Sequence, residues 1–384
     1  METSFIKNIF IKITVAAKND FILAIAFLLA LVSCLFITPD KKYLGYIDVN
    51  TIIILFCLML IVEALKESQL FEKIGNMILK RVKTERGIVF SLILMCFVSS
   101  MLITNDVALI TFVPLGLLVL EATHMTSHLC LAVTSMTLAA NLGSMLTPIG
   151  NPQNVYLFSI SHTDIGQFLM TMLPYSAVSF LMLLILTAFV CGKAKVQSGA
   201  GALESESSSK SAVGKNLLYG GLFALCIASL MGFLNIYMLL LVVSFAVFLE
   251  NKKLFARVDY NLLLTFICFF IFVGNINRLD GFHEAVISML ANNEKLVSVV
   301  TSQLISNVPA ALLLSGYTDN LREILIGTNL GGLGTLIASM ASLISYKQLV
   351  NRHPELKKRY LVTFTLLNIA FLAVLYAVSE ISLI

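Results

Sequence analysis

Charge is scarce in this chain. Only 12% of its 384 residues are Asp, Glu, Lys or Arg, against roughly 25% in an average soluble domain, and between Gly87 and Gly192 there is no Lys or Arg at all. A tight arginine clamp around an anion is therefore not available in that stretch. The seven cysteines (34, 57, 96, 130, 191, 226, 268) show no CxxC or Cys/His spacing. Lying in or beside apolar runs, they read as small buried hydrophobes and not as a disulfide or zinc framework. The basic residues are scattered and form no patch, so the net charge of +4 gives no reason to expect nucleic acid. No nucleophile stands beside a positioned base, and His283-Glu284 lacks the second His of a zinc protease helix. An intramembrane enzyme is thus the remotest reading.

What is present is apolar. Hydrophobic residues make up 58% of the chain and the mean hydropathy is +0.92. Runs of bilayer length recur from one end to the other. They predict crossings at 21–37, 48–65, an interrupted 129–158, 172–191, 217–233, 235–249, 260–276, an interrupted 322–347 and 360–379. Residues 5 to 18 place Phe5, Ile6, Ile9, Phe10 and Ile13 at helical spacing between lysines, as a helix on the membrane surface would. Leu31 to Cys34 matches a lipoprotein cleavage pattern, but the apolar run continues past Cys34, so the first span is expected to be retained.

The chain also resembles itself. Asp48, Asn50, Cys57, Val62, Phe71 and Leu79 recur in the same order and spacing as Asp259, Asn261, Cys268, Val273, Phe282 and Leu290. Each copy is followed by an apolar hairpin interrupted by a polar triplet: Thr104-Asn105-Asp106 in the first, Ser306-Asn307-Val308 in the second. Further on, the run from Asn141 to Thr147 matches that from Asn329 to Thr335. The second hairpin's arms, near 295–305 and 308–316, cover only about half of a roughly 30 Å core at about 1.5 Å per residue, so it must dip in and turn back. The first hairpin has longer arms; it is either re-entrant like its copy or a pair of full spans.

Nine crossings place the termini on opposite sides, with 21 of the 26 Lys and Arg on the side of the N-terminus. By the positive-inside rule the N-terminus is cytoplasmic and the C-terminus outside. The span at 217–233 makes the shift between copies odd, so the copies insert upside down relative to each other. The expected fold is an all-α polytopic membrane protein of two inverted-topology repeats, each with a re-entrant hairpin and a broken transmembrane helix. Its organisation is a surface segment (1–20), repeat 1 (21–191), a flexible cytoplasmic linker (192–215), a connecting helix (216–233) and repeat 2 (234–384).

Inside a bilayer a helix is interrupted only where protein, ions or water satisfy the freed backbone groups. Here Thr147-Pro148-Ile149-Gly150-Asn151-Pro152 breaks one helix and Gly331-Gly332-Leu333-Gly334-Thr335 breaks its partner. Such breaks offer carbonyls to a cation and half-helix N-termini to an anion. The candidate substrate or ion ligands are Thr104, Asn105, Asp106, Asn141, Gly143, Ser144, Thr147, Asn151, Ser306, Asn307, Asn329, Gly331 and Thr335, with Asn105, Asp106, Asn141 and Gly143 as the candidate Na⁺ ligands. The glycines have a plainer reading as close-packing positions, Gly327 and Gly331 forming a GxxxG pattern. Asp106 is either a cation ligand or proton carrier, as intramembrane carboxylates usually are, or simply the cap of the arm that follows it. Glu63 and Glu121 sit at the ends of apolar runs and read as interfacial.

With these motifs in hand, the chain resembles the arsenite permease and sodium/proton antiporter branch of the ion transporter superfamily, relatives of the citrate and divalent anion/sodium symporters. The resemblance rests on Thr104-Asn105-Asp106 with Pro114, on Asn141 to Ser144 leading into Thr147 to Pro152, and on Ser306 to Pro309 leading to Asn329 to Gly331, and spans about 21 to 380. It implies cation-coupled transport with elevator-like movement, and commonly a homodimer. Divalent anion symporters carry Ser-Asn-Thr at both tips; Thr-Asn-Asp and Ser-Asn-Val here leave the substrate and the number of coupling ions open. The expectation is a cation-coupled secondary transporter of a small, anionic solute in the cell inner membrane, with no cofactor beyond a coupling Na⁺. A Na⁺/H⁺ antiporter or oxyanion efflux permease is the alternative.

Overall fold

A computed structural model describes residues 21–161, 163–192, 194, 210–291 and 293–381. The surface segment expected at 1–20 and most of the linker at 192–215 lie outside them. Among the described residues every regular element is helical. In the first half these are α1 (Phe21–Phe36), α2 (Val49–Glu67), α3 (Leu70–Arg81), α4 (Glu85–Ile103), α5 (Asn105–Ala122), α6 (Leu129–Ser144), α7 (Pro152–Ser161) and α8 (Ile165–Val190). There follow α9 (Lys210–Leu230), α10 (Ile236–Asn251), α11 (Tyr260–Ile276), α12 (Asp280–Leu290), α13 (Glu294–Ile305), α14 (Asn307–Leu314), α15 (Leu321–Gly331), α16 (Met340–Arg352) and α17 (Lys357–Ile381).

Polar residues at the helix starts explain most of these boundaries. Asp48 accepts the N–H groups of Asn50 and Thr51 to begin α2, and Asp259 accepts that of Leu262 to begin α11. Thr84, Asp164 and Asn293 do the same for α4, α8 and α13. Each cap answers amides that the first turn of a helix leaves free. Between the caps the segments are apolar enough that five helices could cross a membrane by length and composition: Val49–Glu67, Glu85–Ile103, Asn105–Ala122, Ile165–Val190 and Pro354–Ile381. Both arms of the first hairpin, α4 and α5, are among them, whereas α13 and α14 have 12 and 8 residues. Between Ile236–Arg257, which is α10 with the 3₁₀ turn that continues it, and α11 the chain bends by 71°; the periodicity did not foretell that corner, which falls at Val258 and the Asp259 cap.

The packing pairs elements of the two halves in matching order. α1 lies on α11 as α2 lies on α10. The leading hairpin arms α4 and α13 pack on the leading half-helices α6 and α15. The return arms cross over: α5 packs on α16 and α14 on α7. Each hairpin is thereby held by broken helices from both halves, which carries both tips to the same place.

Candidate functional site

The two hairpin tips have the same backbone. Thr104 has φ 67°, ψ 151° and Ser306 has φ 76°, ψ 155°, a region open mainly to glycine that costs a side chain about 1–3 kcal/mol. At each tip the next asparagine secures the turn. Asn105 N–H donates to the Gly150 carbonyl at 3.2 Å, and Asn307 N–H to that of Ala338 at 3.0 Å. Its side-chain Oδ1 accepts the following N–H, from Asp106 at 2.9 Å and from Val308 at 3.0 Å. The capping oxygen of α5 is thus that of Asn105, and Asp106 is free of that task.

Beside the tips the broken helices exchange hydrogen bonds reciprocally. Asn151 Nδ2 donates to Asn329 Oδ1 at 3.3 Å, and at the position matching Asn151 in the other half Ser339 Oγ donates to Asn141 Oδ1 at 3.1 Å. Asn141 Oδ1 also accepts from Asn105 Nδ2 at 2.9 Å, while Asn329 Nδ2 donates to Asn154 Oδ1 at 2.7 Å. All six side chains are 6% exposed or less, so these bonds are made away from solvent, where an unpaired amide is expensive.

Two of the candidate glycines are explained by close approach. A Cβ on Gly143 would lie 2.1 Å from the Phe97 carbonyl oxygen of α4, and one on Gly331 would lie 2.6 Å from Ser302 Oγ of α13. The carbonyls freed at the breaks are met by protein amides. Asn154 Nδ2 reaches the carbonyls of Ser144, Met145 and Thr147 at 3.4, 3.4 and 3.0 Å. At the second break Gln303 Nε2 reaches Gly331 and Leu333, both at 2.8 Å. Thr147 and Thr335 tie the breaks to the hairpins instead of facing the centre, donating to the carbonyls of Met101 at 2.5 Å and Gln303 at 3.3 Å. Ser144 donates within its own helix, to the carbonyl of Asn141, and Ser306 donates to Ala338.

What remains at the centre is a cavity of about 10 Å³ lined by Asn105, Asp106, Gln153, Asn307 and Ser339, room for about one water-sized occupant. Two polar atoms of its lining residues, Asp106 Oδ1 and Gln153 Nε2, are buried without a hydrogen bond, as are Asn141 Nδ2 and Asn151 Oδ1 in the asparagine network beside it. Asp106 also lines a second cavity of about 140 Å³, together with Thr104 and Pro152 and with Glu63, Lys66, Arg257 and Asp259. Glu63 and Lys66 are paired at 2.5 Å, and Arg257 bonds Glu67 at 2.8 Å. Glu121, at the far end of α5, is bound to Arg352 and His353.

The structure therefore brings Asn105, Asp106, Asn141, Asn151, Asn307 and Asn329 together, and places Gly143, Ser144, Thr147, Ser306, Gly331 and Thr335 in the supporting shell. Thr104 lines only the larger cavity. Gln153, Ser339, Asn154 and Gln303 were not among the sequence candidates. Ser339 could have been found by carrying the match between Asn141 and Asn329 on to Asn151.

A model of the citrate transporter family matches residues 10–321, more than half of the chain. The chain belongs to the citrate transporter family. That places it in the ion transporter superfamily and makes it an integral, multi-pass membrane transporter. This citrate transporter family member is 33% identical over 339 residues to an uncharacterized transporter of Methanocaldococcus jannaschii, covering 87% of this chain and 90% of the relative. It is 30% identical over 316 residues to the inner membrane protein YbiR of Escherichia coli, 81% and 83% of the two chains. A rice protein (Oryza sativa subsp. japonica), the silicon efflux transporter LSI3, is 30% identical over 139 residues, 36% of this chain and 28% of the relative.

Proposed function

We propose that this protein is a secondary active transporter that couples the movement of a small, anionic solute to a Na⁺ or H⁺ gradient. The observation that carries the reading is the reciprocal crossing of hairpins and broken helices around a buried cavity in which one carboxylate oxygen has no partner. A buried carboxylate oxygen without a donor is costly unless a proton or cation accompanies it. Asp106 is then the carrier of the coupling charge, with Asn105 and Asn141 beside it. Neutral amides and hydroxyls from Asn307, Gln153 and Ser339 bind the solute.

The halves are inverted repeats in this reading, with nine crossings and two hairpins, the N-terminus cytoplasmic and the C-terminus outside, in the cell inner membrane. The hairpins and broken helices move together as an elevator against a frame of α1, α2, α9, α10 and α11, and the working unit is a homodimer. One asymmetry supports this. α2 rests on α7 and α11 on α14, but where exchanging the halves would put α11 on α16 and α2 on α5, the 140 Å³ cavity intervenes. With Glu63, Lys66 and Arg257 on the cytoplasmic side, that cavity is the inward-facing access path to Asp106.

A second reading, Na⁺/H⁺ antiport or efflux of an oxyanion, is favoured by the neutrality of the donors around the centre, and the name of the rice relative agrees with efflux. Purified protein in liposomes decides between them. Flux of carboxylates or oxyanions driven by a Na⁺ or H⁺ gradient supports solute transport; Na⁺-driven proton movement without any solute supports antiport. Silence across carboxylates, oxyanions and both gradients would overturn the coupled-transporter reading.

A further inference from the structure

Both breaks have a side-chain amide on their carbonyls, but on different ones: in the first, Asn154 Nδ2 reaches Ser144, Met145 and Thr147 and leaves Gly143 to backbone N–H groups, whereas the second has an amide on Gly331, the counterpart of Gly143. In the second half Gln303, three residues before the tip residue Ser306, turns its side chain into the break. Its Nε2 lies 2.8 Å from the Gly331 carbonyl, 2.8 Å from that of Leu333 and 3.4 Å from that of Val299. Its Oε1 accepts the N–H of Thr335 at 2.9 Å. In the first half the position three residues before Thr104 is Met101, a partly buried apolar side chain.

The room for the glutamine comes from a second exchange. Gly334 has φ +103°, and a Cβ there would lie 2.4 Å from Gln303 Oε1. The matching residue of the first break is Leu146, packed against the core. Glutamine with glycine in one half thus stands where methionine with leucine stands in the other. The rest of the framework is retained, since Thr147 binds the Met101 carbonyl as Thr335 binds that of Gln303.

Carbonyl oxygens freed at a break are what a monovalent cation asks of a broken helix, and Gly331 and Leu333 supply two of them here, with Val299 of α13 a longer third contact. The NH₂ group of Gln303 lies against them, its nitrogen supplying hydrogen-bond donors to the oxygens. The adjoining tip is neutral as well, with Val308 where the first half has Asp106. We propose that the side-chain amide of Gln303 takes the place of a coupling cation in the second half, so that the coupling charge is carried at Asp106 alone. The inference rests on the coupled-transporter reading for the word "coupling". The occupancy of the break by Gln303 can be tested by binding, without transport.

The test is thermal unfolding of the full chain in detergent, in NaCl and in choline chloride at equal ionic strength. The variants are Asp106→Asn, Gln303→Ala, Gln303→Glu and Asp106→Asn combined with Gln303→Ala. Gln303→Ala exposes the carbonyls, and Gln303→Glu sets a carboxylate against them. Each should gain a Na⁺-specific rise in Tm of about 2 °C or more at saturating salt, and the gain should persist in the double variant. Any Na⁺ response of the natural chain should vanish in Asp106→Asn; a natural chain indifferent to Na⁺ also agrees, with Asp106 as proton carrier. The inference is overturned if Asp106→Asn keeps a Na⁺ response that disappears in the double variant. It is equally overturned if neither folded Gln303 variant responds to Na⁺ more than the natural chain. Failure of the transport reading itself would be seen in liposomes and not in these melts.

Discussion

Replacing Asn329 with Ala should separate the reciprocal asparagine network from ordinary helix packing. Asn329 Nδ2 donates to Asn154 Oδ1 at 2.7 Å and its Oδ1 accepts from Asn151 Nδ2 at 3.3 Å, with the residue 4% exposed. Truncation leaves one acceptor and one donor without partners, each worth about 1–3 kcal/mol when buried. The sum, about 2–5 kcal/mol after some relaxation, corresponds to a fall in Tm of about 2–6 °C for a chain of this size by dye-monitored unfolding in detergent. Asn151→Ala alone strands only the Asn329 oxygen and should cost less. Since Asn329→Ala has already stranded Asn151, the double variant should cost less than the two singles together, by about 0.5–3 kcal/mol. Additivity within about 0.5 kcal/mol, or an Asn329→Ala protein as stable as the natural one, would refute the network.

Other consequences are open to direct measurement. Thr104→Gly and Ser306→Gly remove side chains from a backbone region that disfavours them and should each raise stability by about 1 kcal/mol in thermal unfolding; a loss would mean that the tips are not strained. His353 bonds Glu121 at 2.8 Å and Glu355 at 3.1 Å, and the Glu121 bond holds its pKa above the ordinary value. A raised folded-state pKa contributes stability that is complete below the unfolded pKa, about 6.5, and is lost as pH rises through the folded value. Tm should therefore fall as pH rises above about 6.5 by more in the natural chain than in His353→Gln, and parallel profiles would remove His353 from the explanation.

Much of this arrangement could be read from residue order. The second hairpin, expected at 295–305 and 308–316, is formed by Glu294–Ile305 and Asn307–Leu314, because the polar Ser306-Asn307 pair and the short apolar arms leave few alternatives. The breaks were visible because Pro148, Pro152 and three close glycines cannot continue a helix. The roles within the breaks were harder to read. Gly143 and Gly331 offered carbonyls on paper, but whether a glycine serves a ligand or a neighbouring helix depends on how near that helix comes, and α4 and α13 come close enough to exclude a Cβ. Gln303 looked like one more polar residue on an amphipathic arm. Its importance lies in the carbonyls of Gly331 and Leu333 at the break, and only packing reveals them. Ser339 was concealed by chemistry, a hydroxyl standing where the other half uses an amide.

The central claim concerns Asp106, and flux in liposomes as a function of pH and Na⁺ gradient tests it most directly. Asp106→Asn keeps the shape of the side chain and removes its capacity to take up a proton or balance a cation, so gradient-driven flux and its pH dependence should be lost while the protein still unfolds cooperatively. Gradient-driven transport by Asp106→Asn with the pH profile of the natural chain would contradict the assignment of Asp106 as the carrier of the coupling charge.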